Sequence, residues 1–137
     1  MTKPETLWDL CEEVCKSIEA APLNYFQDAY VTEAAKLFGP MACGTAYCRA
    51  GWLLAIAEDK PQHSLINIKA TRLLKAAGVD PLDIRNLFAG GQVLGKVGTP
   101  AYVAQGVRGM RQFALRWETQ LRNTTVNKAL AYANSIE

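Results

Sequence analysis

Between Thr45 and Ala57 the chain carries one charged side chain, Arg49, among twelve apolar, small or weakly polar residues. Wound at 100° per residue, the segment is apolar on every face except at Arg49. A helix of that kind has no side to give to water, so other elements must surround it. Thr45 is a good N-cap, and the spacing predicts a helix from Thr45 to about residue 58. Gly51 costs about 1 kcal/mol of helix propensity relative to alanine and is best understood if another backbone packs closely there.

The rest of the chain supplies the shell. A helix is expected over about Pro4 to Ala20, where Leu7, Leu10, Cys11, Val14 and Ile18 form one stripe and Glu5, Asp9, Glu12, Lys16 and Glu19 the opposite side. A second stretch, Asn24 to Leu37, is rich in aromatic residues and closes at Gly39-Pro40. Leu65 to Ala77 reads as a helix stopped by Gly78. Asp80-Pro81 and Thr99-Pro100 are each a cap followed by a first-turn proline, starting a short helix to Phe88 and a long one from Pro100 to about Arg122. Thr124 or Thr125 can cap a last helix to about Ser135. With no convincing strand, the expected fold is all-α. It is a single domain spanning 1–137, with about six helices around the central one at about 45–58.

A length of 137 residues, 50% hydrophobic and 20% charged, suits one folded domain and argues against wholesale disorder. No apolar run is long enough to span a membrane. The opening Met1-Thr2-Lys3-Pro4-Glu5 has an acid where a signal peptide needs an apolar core, so a cytoplasmic location is expected.

The net charge of +2 conceals an imbalance. Residues 1–60 hold five Lys/Arg against nine Asp/Glu, and residues 61–137 hold ten against four. Halves of opposite sign can attract within one chain or between copies, so a homo-oligomer is expected.

Catalytic signatures are weak. Cys11 and Cys15 lie four apart and Cys43 and Cys48 five apart, neither being the C-x-x-C of common zinc sites, and His63 is the one histidine. The four thiols could still meet around zinc, but buried small hydrophobes suit them better. Cys48 near a helix start could be an activated thiol with His63 as base. It shares a face with Trp52, however, and no Asp or Asn obviously orients His63. Gly90-Gly91-Gln92-Val93-Leu94-Gly95-Lys96-Val97 nearly spells a phosphate-binding loop. Val97 lacks the hydroxyl that holds magnesium, and a helix rather than a strand precedes it. It reads as a glycine-rich connector that could close over a ligand. No catalytic residue, metal or cofactor is therefore expected.

Positive side chains remain as candidate binding residues. Arg49 must find an anion, a carbonyl cluster or an exit to solvent. Asp28 or Glu33 could pair with it; otherwise it could anchor a phosphate or carboxylate, with N–H donors from the Thr45-capped helix start beside it. Arg108, Arg111 and Arg122 fall within about 60° of one another on the long helix, with Leu115 among them. Lys96 lies in the loop. Double-stranded DNA is disfavoured as a partner, since no polar recognition helix stands out.

The segment Cys43-Gly44-Thr45-Ala46-Tyr47-Cys48-Arg49-Ala50-Gly51-Trp52 resembles a group of uncharacterised small phage and bacterial proteins carrying a C-G-T-x-x-C-x-A-G-W motif. The similarity extends loosely through Leu74, Gly78-Val79-Asp80, Leu87-Phe88, and Arg108 or Arg111 with Phe113, covering about residues 40–115. Arg49 departs from the group, which has an apolar residue there, and so does the glycine-rich loop. The resemblance implies a helical fold and a phage or mobile-element setting, and no activity.

Together these readings lead to the expectation of a non-enzymatic binding protein. It would be a phage-encoded counter-defence factor that sequesters an anionic, nucleotide-type small molecule through Arg49, Thr45, Arg108, Arg111, Arg122 and Lys96. The rival expectation is an inhibitor or adaptor acting on a host protein, and the third a thiol- or zinc-dependent enzyme.

Overall fold

The structure, a computed structural model, describes residues 3–27, 31–33, 45–88 and 93–135. It is all-α, with seven helices among the described residues: α1 (Leu7–Ala20), α2 (Arg49–Glu58), α3 (Ile66–Lys75), α4 (Pro81–Phe88), α5 (Pro100–Arg116), α6 (Glu118–Arg122) and α7 (Val126–Ala133). A 3-10 turn covers Pro22–Asn24. Two three-residue strands, β1 (Val31–Glu33) and β2 (Thr45–Tyr47), form an antiparallel ribbon. No helix among the described residues is long and apolar enough to cross a membrane.

The first helix begins at Leu7, not Pro4, because Thr6 closes a capping box: its hydroxyl accepts from Asp9 N–H and the Asp9 carboxylate accepts from Thr6 N–H. The stretches leading into α1 and α7 meet there. Leu7 N–H donates to Thr124 O at 2.9 Å and Val126 N–H to Glu5 O at 2.8 Å, so the entries of α1 and α7 brace each other.

The central helix is surrounded as its composition demands. Ala50, Leu53, Leu54 and Ala57 are fully buried, and α2 packs on α1, α3, α4 and α7. Its start corrects the sequence reading. Thr45 is not an N-cap. It lies in β2 opposite Glu33, with Ala46 opposite Thr32 and Tyr47 opposite Val31. Those pairings, with Tyr47 O accepting from Phe26 N–H, satisfy the backbone of 45–47 as a strand, and α2 begins at Arg49. The expected helix from Asn24 to Leu37 is likewise replaced by the 3-10 turn and β1 where residues are described; 28–30 and 34–44 lie outside them.

The long helix also ends early. It breaks at Trp117 (φ −111°, ψ 23°), and Arg122 belongs to the separate α6. Asp83 of α4 ties down that turn: its carboxylate accepts from Trp117 Nε1 at 2.9 Å and pairs with Arg116 Nε at 3.1 Å.

Candidate functional site

Arg49 is 1% exposed. Its guanidinium donates from Nη1 to Leu87 O (2.9 Å), from Nε to Gly106 O (3.0 Å) and from Nη2 to Gln105 O (3.3 Å). Leu87 is in the last turn of α4, where carbonyls lack partners within the helix and the dipole favours a cation. The carbonyls of Gln105 and Gly106 belong to the middle of α5 and give Arg49 their second lone pair. Close approach there needs glycine. A Cβ at residue 109 would come within 2.7 Å of Arg49 Cζ, and one at 106 within 2.5 Å of the Tyr25 ring.

Gln27 completes this buried network. Its Oε1 accepts from Arg49 N–H (3.2 Å) and from Tyr25 Oη (2.9 Å), its Nε2 donates to Phe88 O (3.1 Å), and its own N–H donates to Tyr102 Oη (2.9 Å). Gln27 thus does for the start of α2 what Thr45 was expected to do. Tyr25 and Tyr102 lean on each other with ring centroids 5.4 Å apart. Of the expected choices for Arg49, the structure shows the carbonyl cluster; Asp28 and the Glu33 side chain lie outside what is described. Every guanidinium nitrogen is engaged and the side chain is buried, so Arg49 is held within the fold.

The opposite side of α5 is open. There α1 and α5 run in opposite directions: Cys15 Sγ lies 3.9 Å from Val107 O, while Trp8, one end of α1, lies beside Arg122 beyond the far end of α5. Between the helices is a groove of about 310 Å³. Its floor and walls are Trp8, Cys11, Cys15, Met110, Ala114 and Leu115, and charges at its rim are Glu12, Lys16 and Arg111. Leu115 is 64% exposed. Trp8 is half-buried, its ring under the Arg122 guanidinium at 4.3 Å.

The structure therefore gathers part of the expected basic stripe and scatters the rest. Arg111 lines the groove and pairs with Glu19 at 3.4 Å, both side chains more than half exposed. Arg122, on its own helix, is held by Glu118 at 2.6 Å and flanks the groove through Trp8. Arg108 is exposed, with no carboxylate at ion-pair distance among the described residues. Lys96 is exposed in the turn before α5, where its carbonyl accepts from the Thr99 hydroxyl, and it lines no part of the groove. The described part of the loop is tethered: Leu94 N–H donates to Gln105 Oε1 and Gln105 Nε2 donates back to Leu94 O.

Cys11, Cys15 and Cys48 are free and buried, and Cys43 lies outside the described residues. Burial pushes the Cys11 thiol up from 9.0 to about 12, with the neighbouring Cys15 adding to it. Burial also pushes Cys15 up to about 11, partly countered by Arg111. Cys48 is pushed up as well: burial outweighs the stabilising N–H groups of Gly51 and Ala50 at the helix start. A thiol so placed stays protonated near neutral pH and is a poor nucleophile. His63 is exposed, and among the described residues no hydrogen bond joins it to Cys48. Nor do three His, Cys, Asp or Glu side chains gather there as a metal site would require.

Two sets of residues were missed from sequence. Gly106 and Gly109, three apart in a helix that each disfavours by about 1 kcal/mol, were the available signal of close packing on α5. Trp8 was on neither the core stripe nor the polar side assigned to α1. Comparison with known protein families, with curated proteins and with solved structures finds no match to this chain.

Proposed function

We propose that the chain is a non-enzymatic protein-binding module that docks an amphipathic helix of a partner in the groove between α1 and α5. The supporting observation is Leu115, 64% exposed on the wall of a groove whose other walls are apolar. A long apolar side chain left in water beside unfilled apolar surface is the anchor such docking uses. The groove's charges are mixed, which suits a peptide better than a polyphosphate. The motif around Cys43–Trp52 motivates placing this activity in a phage counter-defence setting, with a host protein as partner.

The nucleotide-type reading keeps one supporting feature. Arg111 on the rim, with Arg122 over the Trp8 ring, sets cations beside an aromatic face. Its intended anchor, Arg49, is spent inside the fold.

The test is affinity capture from a natural host extract with wild type and Leu115→Glu in parallel, joined to site-specific photocrosslinking from position 115. The expected result is a stoichiometric protein crosslinked at 115 and lost with Leu115→Glu. Equal capture by both forms, or none by either, overturns the docking reading. Calorimetric binding of a mono-, di- or cyclic nucleotide that Arg111→Ala abolishes would select the small-molecule reading instead.

A further inference from the structure

We infer that the groove face is self-complementary and that a second copy of this chain occupies it, as a two-fold dimer in which α1 of each copy lies over α5 of the other. The inference rests on the groove being a protein-docking surface, and it names what covers that surface when the host partner is absent. Charge selects the geometry. The α1 side of the face exposes Glu12 and Glu19, and the α5 side exposes Arg108 and Arg111. Lys16 is the one base facing out from α1 there, so the two acids outnumber it.

Two copies can meet face to face about a two-fold axis across the groove or along it. An axis across the groove sets α1 on α1 and α5 on α5, acid against acid and base against base. An axis along the groove sets each α1 on the other copy's α5. Every acidic patch then meets a basic one, twice over by symmetry. The same rotation carries Leu115 onto the other copy's α1 near Trp8, covering the exposed leucine. The Arg111–Glu19 pair within one copy does not oppose this, since pairs so exposed are worth little and exchange partners easily.

The size of the face sets the strength. Two helices of about 10 Å width and about 21 Å length offer about 400 Å² in projection. That is about half of what a standard interface takes from each partner. A face of that size makes the dimer a weak one.

The experiment is sedimentation velocity on the full chain from about 1 µM to about 200 µM, a range that brackets a weak interface. Two charge-reversed forms are compared with wild type: Glu12→Arg with Glu19→Arg, and Arg108→Glu with Arg111→Glu. Wild type should move from monomer toward dimer as concentration rises. Each reversed form alone should dimerise at least about tenfold more weakly, since like charges then face each other. An equimolar mixture of the two should recover wild-type association, because each acid again meets a base; recovery also shows that both forms are folded. A wild type that stays monomeric, reversed forms that dimerise normally, or a mixture that fails to recover overturns the inference. If the protein is monomeric yet captures a partner through Leu115, the dimer falls and the docking reading stands. If both experiments are silent, both fall.

Discussion

The two sides of α5 hold positive charge in opposite ways. Arg49 faces one side, 1% exposed, with three backbone carbonyls holding it and no carboxylate in its hydrogen bonds among the described residues. Arg111 projects from the other side, 61% exposed, with a carboxylate 3.4 Å away. The arginine held by carbonyls is the buried one. Carbonyls fixed by two helices cannot turn away, and in a dry site each bond is strong. The exposed ion pair is screened by water and competes with any other anion. A count of acids near each arginine would therefore misjudge which is free to act.

The widest test of that contrast is truncation on each side. Arg49→Ala should strip Leu87 O, Gly106 O and Gln105 O of a donor and leave a cavity, costing about 4 kcal/mol in urea unfolding. Arg111→Ala should cost no more than about 0.5 kcal/mol. Arg49→Lys keeps the charge but cannot reach three carbonyls with one ammonium, and should fall between wild type and Arg49→Ala. Equal midpoints for Arg49→Ala and Arg111→Ala would erase the distinction.

The glycines of α5 sharpen it by sign. If propensity alone mattered, Gly106→Ala and Gly109→Ala would each stabilise by about 1 kcal/mol. The packing predicts the reverse. A methyl at 106 drives into the buried Tyr25 ring, for a net loss of about 2 kcal/mol in thermal or urea unfolding. At 109 it strikes the Arg49 guanidinium, which can yield only by loosening its carbonyl bonds, and the net loss should be about 1 kcal/mol. In an Arg49→Ala background the Gly109→Ala penalty should vanish, because the guanidinium that the methyl strikes is gone.

How far these features were readable depends on how local their causes are. The apolar helix around Leu53 and Ala57 was legible because its composition allows no exposed face. So was the need of Arg49 for a partner, though its choice of carbonyls was not, since Leu87, Gln105 and Gly106 are 38 to 57 residues away in sequence. Thr45 was misread because threonine serves as well in a strand as at a cap. The pairing with 31–33 that decides between them is remote. The break at Trp117 was invisible for the same reason: Asp83, which holds that turn, sits on another helix. That break moves Arg122 off the stripe it was assigned to. The groove needed the antiparallel approach of α1 and α5, which no spacing within either helix announces, although Arg111 and Leu115 were already marked as neighbours.

The thiols beneath the groove give a smaller, pH-dependent contrast. Cys11 in the fold stays protonated to about 12, whereas in the unfolded chain it ionises near 9.0. Above that lower value the unfolded state releases a proton that the folded state keeps, so stability falls as pH rises from about 9 to about 12. Below about 9 the thiol contributes no pH dependence. Compared with Cys11→Ala, wild type should lose about 1 kcal/mol more between pH 8 and pH 10 in urea unfolding. Parallel curves would mean that the thiol is not held neutral beside the groove.

The smallest effect on folding falls at the residue on which the functional reading depends most. Leu115 is exposed, and its loss from the surface should leave folding stability within about 0.5 kcal/mol of wild type. If Leu115→Glu melts as wild type does yet loses its captured partner or its self-association, the groove side of α5 serves contacts outside the chain, as the Arg49 side serves contacts within it. A Leu115→Glu protein that unfolds markedly more easily would place Leu115 in the fold's own packing. The asymmetry between the two sides of the helix would then disappear.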